Sequence, residues 1–370
     1  MRNHPARRKP VDVSGAVSAG PRKLRQTIMT THDAKPFLKS GSPHPLLSPS
    51  SAHPILDADV QSFVDAQADS DDESFYLREP AAAREAFARL QGKSRREFAV
   101  SVDDLVLPTG PSGSVAVRIA RPSGATRTLP IVMYFHGGGW IAGDRHTHDR
   151  LIREIAITAN VAVVFVDYSH SPDAVFPCQN EEAYAALIYV VANAAALGLD
   201  PEPLALAGDG AGGNMVAAVA ILAKRRRAPA IALQVMFYPV MSASTDSSSY
   251  HEFENGPWIT ALTMQSLVSA QFPLDSQADF SALPLNANFT ELEGLPAALV
   301  ITAENDLVRD QGEHYAKKLM QAGVEVTATR YLGTIHDFIC LDDLAHTPPS
   351  RAALMQACSA LRDRLHSKPA

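Results

Sequence analysis

One short glycine-rich stretch constrains the fold of this chain more than any other. The apolar run Leu204–Ala207 is typical of a buried strand, and the run Met215–Leu222 is typical of a helix packed on a sheet. Four of the seven residues between them, from Gly208 to Asn214, are glycine. The sequence therefore predicts a strand, a sharp turn and a helix in direct succession.

Length, charge and cysteine content bound the class of protein. The 370 residues suffice for one large α/β domain with additions or for two modest domains. A net charge of −7 gives no electrostatic reason to bind nucleic acid or an anionic membrane surface, and no apolar run is long enough to span a bilayer. The three cysteines, Cys178, Cys340 and Cys358, are unclustered, which argues against a disulfide framework or a zinc site. They favour a reducing compartment, so we expect a cytoplasmic protein.

The first 28 residues carry seven Lys or Arg and a single acid, Asp12. No apolar segment follows the basic part, so it is not a secretory signal. A mitochondrial presequence is disfavoured because its prolines would interrupt the amphipathic helix. The alternative is an unstructured extension with Met29 as the start. In either case the density of Pro, Ser, His and Gly predicts disorder over residues 1–54.

Beyond the N-terminal region, strand and helix patterns alternate. The predicted strands cover residues 104–107, 115–119, 129–135, 161–166, 204–207, 230–237, 297–303 and 325–331. The predicted helices cover residues 150–159, 180–196, 211–226, 311–322 and 350–365. The first two strands form a predicted hairpin, and strands 129–135 and 161–166 are near-continuous apolar runs, as expected for parallel strands covered on both faces. Such alternation predicts an α/β fold with a doubly wound, mostly parallel sheet.

Two segments lie outside this alternation and are candidates for a cap over the sheet. The first, residues 55–100, has amphipathic helical periodicity over Ala58–Leu90, although simple packing on the outside of the sheet is an equal alternative. The second, residues 239–296, is polar, Ser-rich and helical only around Thr260–Gln271, and it is too long for an ordinary connection. The predicted organisation is an extension (1–54), N-terminal cap helices (55–100), a first core part (101–238), an insert (239–296) and a second core part (297–370).

A second glycine-rich stretch, His136–Trp140 with the sequence HGGGW, directly follows the third predicted strand. Consecutive glycines bring backbone N–H groups close to a ligand without obstruction by side chains. A plain glycine turn at a strand end is the alternative. Only one predicted strand separates this stretch from the strand before the sharp turn, which favours an oxyanion hole. We predict the N–H groups of Gly137, Gly138 and Ala211 as its donors.

An aspartate and a histidine follow two later strands. Asp306 comes just after the seventh predicted strand and His336 just after the eighth. Residues beyond the carboxyl ends of parallel strands converge on one crevice, whereas either residue alone would be a solvated loop residue. His336 would act as general base and acid, and Asp306 would orient it and stabilise its protonated form. His146 and His148 stand at alternate positions without a further cluster of ligands, so we predict no metal site.

With these motifs the chain resembles the hormone-sensitive-lipase family of α/β-hydrolases, the esterases that bear HGGGW and GDSAGG. The matching features lie between Ser74 and the C-terminus: His136–Trp140, Gly143-Asp144, Thr147-His148-Asp149, Asp167-Tyr168, Phe176-Pro177, Gly208–Gly213, Asp306–Asp310 and His336–Phe338. The resemblance implies an α/β-hydrolase fold with a helical cap, a catalytic triad and no cofactor. It also implies a small-molecule substrate, an ester of short-chain acyl or aryl type, and a homodimer, which family members often form.

Two positions depart from the family pattern. The stretch Tyr168–Pro172 lacks the arginine that usually follows that tyrosine, and Gly210 stands where the nucleophilic serine is expected. A glycine cannot attack a carbonyl carbon, so no acyl-enzyme forms in the family's manner. The nucleophile of this motif normally has a strained backbone, which glycine adopts without a Cβ penalty.

Three hypotheses fit this sequence. The first is an ester hydrolase inactivated by an engineered or sporadic change at Gly210, and the retained Asp306, His336 and HGGGW favour it. The second is a natural non-catalytic protein that binds a small molecule as a sensor or receptor. The third is a hydrolase that activates water directly, with the remaining oxyanion donors and the Asp306–His336 pair.

Overall fold

The computed structural model describes residues 54–68, 75–92, 97–227 and 229–366. The predicted disorder over residues 1–54 therefore lies, apart from Pro54, outside the described residues. The strands are β1 (Val100–Leu107), β2 (Val115–Pro122), β3 (Leu129–Phe135), β4 (Ala162–Asp167), β5 (Leu199–Asp209), β6 (Ile231–Phe237), β7 (Ala297–Asn305) and β8 (Val326–Ile335). They form one sheet in the order β1-β2-β4-β3-β5-β6-β7-β8. Every predicted strand is present.

Most neighbouring strands of this sheet are parallel. β1 and β2 form the predicted antiparallel hairpin, and β2 is also antiparallel to β4. All pairs from β4 and β3 through to β7 and β8 are parallel. The predicted α/β fold with a mostly parallel sheet is therefore confirmed.

Helices connect many of the strands, and further helices precede β1 and follow β8. They are α1 (Ala58–Ala68), α2 (Pro80–Leu90), α3 (Asp149–Ala159), α4 (Cys178–Ala192), α5 (Ala211–Arg226), α6 (Ser248–Glu252), α7 (Ala261–Gln271), α8 (Phe289–Leu292), α9 (Arg309–Gln321) and α10 (Pro348–His366). Among the described helices, none is both long and apolar enough to cross a membrane.

The insert is more helical than its sequence pattern predicts. Besides α7, it contains the short helices α6 and α8, of five and four residues. Each begins at a capping residue: the side chain of Ser247 accepts the N–H of Tyr250, and that of Asn288 accepts the N–H of Glu291. Helices this short are set by their caps rather than by hydrophobic periodicity, which is why the periodicity does not reveal them.

Side chains from both faces of the sheet are buried under helices. Along β3 every residue is buried, and successive side chains alternate between two hydrophobic clusters. Met133 packs in the cluster that contains residues of α4, α5 and α9, whereas Val132 packs in the cluster that contains residues of α3 and α10. The central strand β3 is thus covered on both faces, as its apolar sequence predicts, whereas the edge strands β1 and β8 are partly exposed. The carboxyl ends of the parallel strands share one edge of the sheet.

Candidate active site

A single residue, Gly210, separates the end of β5 from the start of α5. Its backbone angles are φ 50° and ψ −112°, a conformation that L side chains rarely adopt. Hydrogen bonds fix the turn on both sides, because the N–H of Gly210 donates to Phe237 O and its carbonyl accepts from Val240 N. The sharp turn predicted from the sequence therefore has the positive φ that favours glycine at this position.

The glycines that flank the turn are required by the close approach of β3, which pairs directly with β5. A Cβ atom on Gly208 would lie 2.6 Å from the carbonyl oxygen of Phe135, and one on Gly212 would lie 1.9 Å from that oxygen. Neither separation is sterically allowed, because real Cβ atoms do not approach backbone atoms closer than about 3.0 Å. The alternate glycines thus let the HGGGW loop, which follows Phe135, lie against the turn.

The HGGGW loop is held to the turn by Asp209. Oδ1 of this buried carboxylate accepts the N–H of Gly137 at 3.0 Å and the hydroxyl of Tyr134 at 2.7 Å. The N–H of Gly137, which was predicted as an oxyanion donor, thus already donates to a charged acceptor in this structure. Within the described residues, the N–H groups of Gly138, Gly139 and Ala211 have no hydrogen-bond acceptor. The next two N–H groups of the loop, rather than the first, are free for a ligand.

The structure brings the predicted aspartate and histidine together beside the turn. Asp306 and His336 directly follow β7 and β8, both are buried, and Nδ1 of His336 donates to Oδ2 of Asp306 at 2.7 Å. The other oxygen of Asp306 accepts the N–H of Val308 at 3.0 Å, which fixes the carboxylate. Nε2 of His336 lies 3.2 Å from the position that a Cβ atom would occupy on Gly210, and the Cα atom of Gly137 lies 4.0 Å from that position.

Sequence reasoning missed a second carboxylate at this histidine. Asp337 is buried, its Oδ1 lies 3.7 Å from Nε2 of His336, and its Oδ2 accepts the indole N–H of Trp258 at 3.0 Å. Asp337 has a positive φ of 65°, which folds the chain so that neighbouring side chains come close. The sequence does show an acidic residue directly after His336. It does not show the backbone turn that brings this carboxylate close to the imidazole.

These carboxylates decide the charge of the histidine. Burial by itself would lower the pKa of His336, but the charges of Asp306 and Asp337 outweigh burial and raise the pKa to about 9. Burial also raises the pKa of Asp337, against the opposing effect of His336. At neutral pH the imidazole next to Gly210 is therefore mostly protonated, and a general base forms there only as the pH rises.

Comparison with known proteins agrees with this geometry. A family model described as alpha/beta hydrolase fold matches residues 132–340. Carboxylesterase NlhH of Mycobacterium tuberculosis is 35% identical over 68% of this chain and 79% of its own length. Carboxylic ester hydrolase LipN of the same organism is 37% identical over 72% of this chain and 71% of its own length.

Solved structures give the same answer. The crystal structure of a thermostable esterase from Pseudomonas putida has a TM-score of 0.83 and 35% sequence identity, over 86% of this chain and 100% of the esterase. A hyperthermophilic esterase from Pyrobaculum calidifontis has a TM-score of 0.77 and 32% identity, over 84% of this chain and 99% of its own. The chain belongs to the α/β-hydrolase fold family, of which these carboxylesterases are members.

Proposed function

We propose that this protein is a carboxylic ester hydrolase for short-chain acyl or aryl esters in which Gly210 leaves only weak activity. One observation carries the proposal: Nε2 of His336 lies 3.2 Å from the Cβ position of residue 210, with Asp306 on its other nitrogen. A hydroxymethyl group there would complete a catalytic triad. The partner is a small-molecule ester, and the homodimer implied by the family resemblance stays a prediction.

An ester would bind with its carbonyl oxygen toward the N–H groups of Gly138, Gly139 and Ala211. Ala211 is the first residue of α5, so the partial positive charge at the start of that helix adds to the stabilisation of an oxyanion. These donors are fixed before the substrate arrives, because Asp209 and the flanking glycines hold the loop against the turn. The binding half of an esterase site is therefore intact.

Without a serine, the attacking group is water. Neutral His336 takes a proton from a water molecule while the water oxygen forms a bond to the carbonyl carbon, and the oxyanion donors stabilise the tetrahedral intermediate. The ester C–O bond then breaks, His336 returns its proton to the departing alkoxide, and an acid and an alcohol are released. No acyl-enzyme forms along this route.

Two effects keep this activity low. The raised pKa of His336 leaves little neutral imidazole at neutral pH. In addition, a free water molecule is not held beside the substrate by a covalent bond to the protein, as a serine hydroxyl is. Triad variants of other hydrolases retain only about 10³-fold acceleration over the uncatalysed reaction. A rate of that order is far below the rate of a complete esterase.

We also propose that the N-terminal helices and the insert together form the cap. The ring of Trp258 in the insert packs on Phe63 of α1 and on Phe75, with centroid distances of 5.1 and 6.0 Å. From α2, Arg84 donates to the carbonyl oxygens of Ile141 and Ser171, next to the HGGGW loop. Both segments thus attach to the loops at the site, which supports a cap over simple decoration of the sheet.

The second candidate function is a non-catalytic receptor that binds a small molecule in the same pocket. Gly210 itself favours it, because a protonated imidazole and free N–H groups remain to hold a ligand when no nucleophile is present. A receptor would bind esters or their products without turnover. An ester hydrolase would release the alcohol, so the two functions differ in a measurable product.

Hydrolysis of p-nitrophenyl acetate and butyrate tests the proposal with three proteins: the parent, Gly210→Ser and Gly210→Ala. Both variants place a Cβ atom at the turn, but only serine adds a hydroxyl. We expect slow turnover without a burst in the parent, turnover with an acyl-enzyme burst in Gly210→Ser, and no gain in Gly210→Ala. If Gly210→Ser folds and fails to hydrolyse either ester, the ester hydrolase is excluded and the receptor is retained.

A further inference from the structure

Three side chains from distant parts of the chain form a buried cluster beneath the turn, and the proposed mechanism uses none of them as a catalyst. They are His148 at the start of α3, Asp209 at the end of β5 and Cys340 in the loop after His336. Nε2 of His148 lies 3.3 Å from Sγ of Cys340 and 3.5 Å from Oδ2 of Asp209. One atom from each residue lies within 4.8 Å of the other two.

One carboxylate oxygen of this cluster has no hydrogen-bond partner in the part of the chain that the structure describes. Oδ2 of Asp209 is fully buried and accepts no hydrogen bond within the described residues. If Nε2 of His148 carries a proton, it can point that proton at the carboxylate or at the sulfur, but not at both. If Nε2 is unprotonated, its lone pair faces the carboxylate oxygen. A buried carboxylate oxygen without a partner is costly, and a cation bound beside it would remove that cost.

The same three atoms suit a transition metal. Zinc binds His nitrogen, Cys sulfur and Asp oxygen at about 2.0 to 2.3 Å, which sets tetrahedral ligand atoms about 3.3 to 3.6 Å apart. The two distances at Nε2 of His148 are close to that range. A thiolate and a carboxylate also balance the charge of a divalent ion, so a loaded site would be neutral in the protein interior.

Each of these three side chains also has a hydrogen-bond partner outside the cluster. Oγ1 of Thr147 lies 2.9 Å from Nδ1 of His148, and Nε2 of Gln91 donates to Sγ of Cys340 at 3.3 Å. Oδ1 of Asp209 is taken by Tyr134 and Gly137, which leaves Oδ2 directed at the cluster. Metal ligands are typically oriented in this way by neighbouring hydrogen bonds.

The sequence alone predicts no metal site, because His148, Asp209 and Cys340 are far apart along the chain, but folding brings them together. We propose that these three residues form a buried site for a divalent transition metal, with Zn²⁺ as the ion that best suits this donor set. Binding forms three bonds to the metal and releases the thiol proton of Cys340. Because Asp209 precedes Gly210 and Cys340 lies in the loop after His336, the metal would join the turn at Gly210 to the loop that carries His336. A metal that binds only the folded state stabilises it, so metal-loaded protein should melt at a higher temperature than metal-free protein.

The experiment is metal analysis of the full chain produced in medium with added ZnCl₂ or CoCl₂ and then dialysed against metal-free buffer. Because the site is closed, the ion has to enter as the protein folds. We expect metal in equal molar amount to protein, and a thiolate-to-cobalt charge-transfer absorption in the Co²⁺ form. Unfolding should release the metal. Protein that carries no tightly held metal after this treatment would overturn the proposal.

Cysteine-to-alanine variants test whether the metal binds at Cys340. Cys340→Ala should lose the metal, whereas Cys358→Ala, which removes another buried cysteine outside the cluster, should keep it. If Cys340→Ala does not fold, the double variant Cys178→Ala/Cys358→Ala decides, because it leaves Cys340 as the only cysteine of the chain. A charge-transfer absorption that survives in this protein supports the site. Loss of that absorption, or metal retained by folded Cys340→Ala, contradicts it.

Discussion

The indole N–H of Trp258 donates a hydrogen bond of 3.0 Å to Oδ2 of Asp337, and Oδ1 of the same carboxylate lies 3.7 Å from Nε2 of His336. Trp258 belongs to the insert, and its ring also contacts Phe63 of the first helix. One buried carboxylate therefore links the proposed general base to both segments of the proposed cap. A change at the cap that moves Trp258 would therefore also change the position of the carboxylate beside Nε2 of His336.

Trp258→Phe tests this link, since phenylalanine keeps an aromatic ring against Phe63 and removes only the N–H donor. The carboxylate of Asp337 would lose its hydrogen bond while still buried, so we expect the free energy of unfolding to fall by about 1–3 kcal/mol. Urea unfolding measures the loss. In an Asp337→Ala background the same substitution should cost clearly less, because no carboxylate is left to satisfy. Equal costs in the two backgrounds would show that the hydrogen bond contributes nothing.

The positions of Gly210, Asp306 and His336 could be predicted because each directly follows a strand, and parallel strands end at one edge of the sheet. The N–H groups of Gly138 and Ala211 were predicted as donors and are free in the described residues. The loss of Gly137 as a donor could not be predicted, because it depends on Asp209 reaching Gly137, a contact across 72 residues of sequence. Asp337 was missed for a similar reason, since its approach to His336 depends on a backbone angle that spacing does not encode.

Gly210→Ala tests the backbone strain at the turn. A residue with a Cβ atom at φ 50° and ψ −112° should cost about 1–3 kcal/mol, and its methyl group would crowd Nε2 of His336 at 3.2 Å. Gly198→Ala is a control for the crowding, because Gly198 also has a positive φ of 68° but nothing lies within 4 Å of its Cβ position. The loss in Gly198→Ala reports the backbone strain alone, and any larger loss in Gly210→Ala reports the crowding at His336. Urea unfolding should show a larger loss for Gly210→Ala than for Gly198→Ala. The strain argument is wrong if Gly210→Ala is as stable as the parent.

The raised pKa of His336 leads to a prediction of how the free energy of unfolding changes with pH. The pKa of His336 is about 9 in the folded protein and about 6.5 in an unfolded chain, so the folded state binds this proton more tightly. That contribution is fully present below about pH 6.5 and is lost as the pH rises through about 9. We expect the free energy of unfolding to decrease over this interval in the parent. The decrease should be smaller in His336→Gln, which cannot titrate, and parallel curves for the two proteins would contradict the assignment.

A buried arginine anchors the loop that carries His336 and Cys340. Nε of Arg150 in α3 donates to Oδ1 of Asp342 at 2.7 Å, and Nη2 donates to the carbonyl oxygens of Ile339 and Cys340, each at 2.7 Å. Only 9% of the arginine is exposed. The guanidinium thus replaces water as the partner of a carboxylate and two backbone carbonyls, which holds the loop onto α3.

Arg150→Met should therefore lower the free energy of unfolding by about 3–5 kcal/mol, because methionine fills similar space but leaves the buried carboxylate of Asp342 without this counter-ion. The control is Arg364→Met, which breaks the pair with Glu325; the two side chains of that pair are 39% and 76% exposed, so the loss should be below about 1 kcal/mol. Urea unfolding of both variants gives the comparison. Similar losses at the two positions would mean that the loop is held by its apolar packing rather than by Arg150, and that the guanidinium is not its anchor.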